Sequence, residues 1–161
     1  KNGRNIVDEY LQQDEGMTMP HIETSIWMAL KARIDTLVTI PAMIVIEPDA
    51  AFAPPKDAGN VPTPYILCSD IRNVNVRVDI KGQTHIRSGT LMLSVNWPVS
   101  RAVSHSQLMQ ASAGIAAHFP TDTRMKYDDA CLRVTIAPDV MQPYRDNDVK
   151  VCVVRIPWST T

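Results

Sequence analysis

The segment Val74-Asn75-Val76-Arg77-Val78-Asp79-Ile80-Lys81, followed after residues 82–86 by Thr90-Leu91-Met92-Leu93-Ser94-Val95-Asn96-Trp97, carries the strongest pattern in the chain. Apolar and polar residues alternate through both halves, and a period of two sends successive side chains to opposite faces of a strand. The pattern predicts a β-hairpin whose buried face holds Val74, Val76, Val78, Ile80, Leu91, Leu93, Val95 and Trp97. Such a face needs a cover, and the flanking segments must supply it.

Two helices are expected on either side. Across residues 21–37, Ile22, Ile26, Leu30, Ile34 and Leu37 recur every three or four positions, with Thr18 as the expected cap, Pro20 in the first turn and Pro41 barring continuation. Downstream, Ser104 and Gln107 form an S-x-x-Q capping box ahead of Leu108, Ala111, Ser112, Ile115 and Phe119, and Pro120 stops that helix. Further out lie short strands at residues 43–47 and 65–71, alternation at Leu132, Val134 and Ile136, and a last strand over residues 149–158. Apolar on both faces between Val151 and Val154, that last strand should be central. Residues 48–64, with Pro48, Pro54, Pro55, Pro62 and Pro64, read as a long irregular loop, and residues 120–130 as a polar one. The expected fold is α+β: two helices packed on one face of a largely antiparallel sheet of about five to six strands. It occupies residues 19–161 as a single domain behind an N-terminal arm, residues 1–18.

Composition narrows the function. The 161 residues include 16 Lys+Arg against 17 Asp+Glu, a net charge of −1, so no overall basic field exists to hold a nucleic acid or an anionic surface. A nucleic-acid-binding regulator is thereby disfavoured. The longest apolar run, residues 42–46, is far short of the roughly 20 residues that cross a bilayer. The basic Lys1-Asn2-Gly3-Arg4 leads into Asp8-Glu9 and not into an apolar core, which gives no sign of a secretory signal and makes a reducing cytoplasm the expected compartment. Cys68, Cys131 and Cys152, odd in number and widely spaced, read as small buried hydrophobes.

Reactive motifs are missing. Neither G-x-G-x-x-G nor G-x-x-x-x-G-K-[ST] can be drawn, and no G-x-S-x-G frames a serine. His21, His85, His105 and His118 are isolated from one another and from cysteine at ligand spacing. Asp146-Asn147-Asp148 starts like a calcium loop, but Val151 stands where that loop needs glycine. No cofactor, metal or catalytic residue is expected. Arg72, Arg77, Lys81 and Arg87 lie along the hairpin's polar edge, either as solvated charges that discourage aggregation or as a contact surface. In the arm, Ile6, Val7, Tyr10 and Leu11 share one face of a short helical turn, which fits either a frayed terminus or a segment ordered by docking on a neighbour. An extension ahead of Met17 or Met19 is a further reading.

Three segments taken together resemble a known family: Glu23-Thr24-Ser25-Ile26-Trp27-Met28-Ala29-Leu30-Lys31-Ala32-Arg33; Val95-Asn96-Trp97-Pro98 leading to Ile115-Ala116-Ala117-His118-Phe119-Pro120; and Val153-Val154-Arg155-Ile156-Pro157-Trp158. Over residues 20–158 the chain is similar to the lambda-type tail terminator, or tail completion, proteins of tailed phages. The arm and the 48–64 loop depart from that pattern. The resemblance implies a structural virion protein and not an enzyme: a homo-oligomer, as a hexameric ring, that caps the tail tube protein and offers the surface for the head–tail connector protein. It implies a place at the tail–neck junction of the virion, in the host cytoplasm during assembly, with DNA passing the lumen unbound and no membrane partner. Ile6, Val7, Tyr10 and Leu11 are then candidates for subunit or tube contact. Asp128, Asp129, Asp139, Asp146 and Asp148 are candidates for the lumen, where cations would grip the duplex, although solvated turns account for them equally well. The alternatives are a neck or head-completion protein and, from another class, a small hydrolase with a dispersed site.

Overall fold

A computed structural model describes residues 21–48, 50, 52–81 and 84–161. The elements among them are α1 (Ile22–Ile34), β1 (Ile44–Ile46), β2 (Tyr65–Arg72), β3 (Val76–Arg77), β4 (His85–Ile86), β5 (Ser88–Pro98), α2 (His105–His118), β6 (Arg124–Tyr127), β7 (Ala130–Val134), β8 (Asp139–Val140), β9 (Tyr144–Asp146) and β10 (Val149–Thr160). The α+β class stands, but the sheet is larger and more mixed than the sequence suggested. Eight strands join it in the order β1-β2-β5-β10-β7-β6, with β8 and β9 also paired to β10 and with β1 parallel to β2.

β10 is central, as its two apolar faces required: it pairs with β5 along its length and with β7, β8 and β9 on the other side. Cys152, Val154, Ile156 and Trp158 point into the core with Leu91, Leu93 and Val95 of β5 and Ile66 and Cys68 of β2. The lid is α1, through Ile26, Ala29, Leu30 and Ile34, and α2, through Leu108 and Ile115, with Phe119 behind it. Arg33 ties the two helix ends together. Its guanidinium donates to the His118 carbonyl and lies 5.9 Å from the Phe119 ring, while His118 Nε2 sits 3.1 Å from both the Arg33 carbonyl and Thr36 Oγ1. His118 thus joins the two helix ends.

Several expectations need correcting. Val74, Val76, Val78 and Ile80 are not in the core: they are 89%, 59%, 56% and 97% exposed. The hairpin exists, but β2 is the segment that opposes the buried part of β5, with Cys68 facing Leu93 and Asp70 facing Leu91. The valine run lies beyond it, where β3 pairs only with β4 as a separate ribbon. Arg72 faces Gly89 whereas Val76 faces Ile86, so the first strand carries one extra residue, a bulge of the kind that bends a strand, and beyond it the ribbon is no longer part of the main sheet. Trp97 packs on the core half-buried, and Trp158, at 1% exposure, is its large indole. Ile136 lies outside. α1 is shorter than expected at both ends; its N-cap position is His21, which makes no side-chain capping bond, and Thr18 and Pro20 fall outside the described residues. Residues 124–127, read as loop, form β6, closed against β7 by a turn in which Asp128 takes φ 49°. The capping box at Ser104 and Gln107 is present, each side chain bonded to the other's backbone N–H, at 3.1 and 2.9 Å.

Candidate interaction surface

Two features sit at opposite ends of the same three strands. At the end marked by Arg72, Ser88 and Ser159 the β3–β4 ribbon projects; at the end marked by Tyr65, Pro98 and Val149 the surface is hollowed. β5 alone separates them by roughly 35 Å at about 3.3 Å per residue.

The ribbon is anchored at its base and bare along its length. Glu23, in the first turn of α1, accepts from Arg87 Nε at 2.7 Å and from an Arg72 terminal nitrogen, while Arg72 Nε donates to Asp70 Oδ2 at 2.8 Å. The other Asp70 oxygen accepts from Trp158 Nε1 at 3.1 Å, and the Arg72 guanidinium lies 5.9 Å from the Trp158 ring. Burial alone would push the Glu23 carboxyl up. The hydrogen bonds and positive charge of Arg87 and Arg72 outweigh it and hold that carboxyl below its ordinary range. Gly89 completes the base: a Cβ there would lie 2.7 Å from both the Ile71 carbonyl oxygen and Trp158 Cζ2, so the indole packs where no other side chain fits. Beyond the base, Arg77 Nε donates to the Asp79 carbonyl at 2.7 Å and Thr84 N–H to Asp79 Oδ2 at 3.1 Å. Val74, Val76, Val78 and Ile80, with Ile86 and Ile71, remain open to solvent. A run of β-branched residues this exposed makes the ribbon a candidate contact surface.

At the far end Pro54, Pro62, Tyr65, Pro98, Val99 and Val149 line a groove of about 520 Å³, mostly apolar, with Asp148 the charged residue among its described lining. Pro54 and Pro62 of the long loop build one wall, and hydrogen bonds hold the segment between them. Asp57 Oδ1 accepts from Gly59 N–H at 2.9 Å and Val61 N–H at 3.0 Å, its other oxygen meets Arg101, and Arg101 Nε donates to the Pro62 carbonyl at 2.7 Å. The Phe52 ring lies tilted against Tyr65, with centroids 5.0 Å apart and the planes at 48°.

The remaining candidates do not form one constellation. Asp128 and Asp129 turn β6 into β7 at the ribbon end of β10, whereas Asp146 and Asp148 flank the Asn147 turn at the groove end. Asp139 is paired with Arg155. Arg72 and Arg87 are engaged with Glu23, Arg77 donates to the carbonyls of Asp79 and Ile80, and neither Arg77 nor Lys81 has an ion pair among the described residues. Ile6, Val7, Tyr10 and Leu11 lie outside the described residues. Among those residues no group of three or more His, Cys, Asp or Glu could hold a metal ion, and no helix is long and apolar enough to cross a membrane. Cys68 and Cys152 are buried as expected, and Cys131 is half-buried. Sequence reasoning missed the Glu23–Arg72–Arg87 anchor, although an acidic first turn and a glycine inside a strand were both visible as signals.

A family model described as phage tail terminator protein matches residues 25–158. The chain belongs to the phage tail terminator family. A tail terminator is a structural virion protein, not an enzyme, so the working parts of this terminator are surfaces, and the ribbon and groove are its most distinctive ones. One solved structure is similar to the terminator at a TM-score of 0.63 and 16% identity, over 91% of this chain and 97% of its own, which shows a shared fold. No curated protein matches the sequence.

Proposed function

We propose that this phage tail component closes into a homo-oligomeric, hexameric ring that caps the tail tube at the tail–neck junction and presents the surface to which the head connector joins. The observation that carries the reading is the family match over residues 25–158. The exposed apolar ribbon supports it, since a contact surface of that kind on one end of a subunit is what a head-to-tail ring requires. Within the reading, DNA crosses the lumen without being held, so acidic or neutral residues line it. Asp128, Asp129, Asp146 and Asp148 are the candidates, Asp139 being already neutralised by Arg155. Ile6, Val7, Tyr10 and Leu11 pack on an adjacent subunit or on the tube.

The test is to image the purified full chain by negative-stain microscopy, with native mass spectrometry for subunit number, and to add purified tail tubes. Closed six-membered rings that decorate tube ends are expected. A protein that stays monomeric at all concentrations and ignores tube ends overturns the proposal. Deleting residues 1–16 should leave a folded domain that assembles or attaches more weakly.

A further inference from the structure

The geometry points to a specific joint between subunits: the β3–β4 ribbon of one copy seats in the groove between the 48–64 loop and the β9–β10 turn of the next. This inference rests on the ring reading above and assigns its contacts. The ribbon is convex and apolar, with Val76 and Ile86 paired across it and Val74 and Val78 in step with Val76 along it. The groove is concave and apolar, and at about 520 Å³ it lies in the range of clefts that enclose a ligand of several side chains' bulk.

The occupant is a second copy for two reasons. First, the two surfaces stand at opposite ends of β2, β5 and β10, so neither can satisfy the other within one chain. A ribbon-to-groove contact is necessarily between unlike patches, the arrangement that propagates head to tail and closes if the rotation allows. Second, the charges complement. Lys81 stands exposed at the ribbon's far end without an ion pair among the described residues, and the charged residue of the groove lining is Asp148. The anchor at Glu23, Arg72 and Arg87 gives the ribbon a fixed exit direction, which reduces the ordering cost of docking it. The assignment moves Asp148 from the lumen set to the joint.

Mixed cross-linking tests it on the full-length protein. Val78→Cys and Val99→Cys are prepared separately, each site being exposed, and treated with a short bismaleimide alone and after mixing, with wild type giving the background from the native cysteines. Covalent dimers that form in the mixture and not in either single variant are expected. Dimers of Val78→Cys alone would mean ribbon against ribbon, and no dimers in any sample would mean that the joint lies elsewhere; either result overturns the assignment. In parallel, Val76→Asp/Ile80→Asp should keep the wild-type circular dichroism spectrum while raising the concentration needed for assembly roughly tenfold or more. Lys81→Glu should weaken assembly and Asp148→Lys should restore it in the double variant. Rings that persist unchanged in Val76→Asp/Ile80→Asp would refute the joint and leave the ring reading standing. A wild-type chain that never forms rings would fail the reading itself.

Discussion

Gly89 shows how much a single missing Cβ can decide. Its neighbours leave 2.7 Å where a methyl group would go, on one side backbone and on the other the Trp158 indole. Neither can yield cheaply, so Gly89→Ala should destabilise the domain by about 1–3 kcal/mol, measured by urea denaturation; a wild-type midpoint would disprove the close approach. Trp158→Ala, emptying a fully enclosed site, should cost about 3–5 kcal/mol, and Trp97→Ala distinctly less because Trp97 is only half-buried. Glu23 provides a pH handle. Its carboxyl titrates below the ordinary value of 4.5, so its ion pairs contribute stability that is present above that value and disappears as pH falls through the lowered one. An NMR titration should show the Arg87 side-chain signal moving in that acid window, and Glu23→Gln should abolish the step at Arg87, whereas Arg72 keeps its second carboxylate partner, Asp70. Cys68 behaves oppositely. Burial first, then the charges of Asp70 and Glu47, push its thiol up to about 12 despite Lys31, so it should resist thiol reagents until the protein unfolds.

Among the elements, the most legible were those whose signal is local. The Ser104–Gln107 box specifies where α2 begins because both partners lie within one turn, and Ser104→Ala should cost about 1 kcal/mol in thermal unfolding. β10 was legible as central because a strand apolar on both faces has nowhere else to go. The valine run was misread for a physical reason. Alternation reports that a segment is extended, not what lies over it, and Val74 to Ile80 alternate as regularly as Leu91 to Val95 while facing solvent. Only the bulge between Arg72 and Val76 separates the two cases, and a one-residue offset leaves no compositional trace. β6, β8 and β9 were missed because short strands such as Arg124–Tyr127 hold their place through β7 and β10, not through their own residues. The same limit hid the groove, which joins residues 54, 62, 98 and 149 that only the sheet register brings together.

For the whole molecule, the place of β10 has a consequence for biosynthesis. The strand in the middle of the sheet is also the last of the described strands to be synthesised, and it supplies the second neighbour of both β5 and β7, whose other edges pair with β2 and β6. Until residues 149–160 leave the ribosome, residues 88–98 can pair with β2 alone, and the apolar face of that hairpin has no neighbour on its other edge. Non-local pairing of this kind is slow, and it leaves strand edges open meanwhile. Ribosome-stalled chains ending near residue 148 should therefore be cleaved readily by protease, while chains tethered well beyond residue 160 should resist. The core therefore closes only when translation of residues 149–160 is finished, so an incomplete chain lacks the strand that joins the two halves of its sheet.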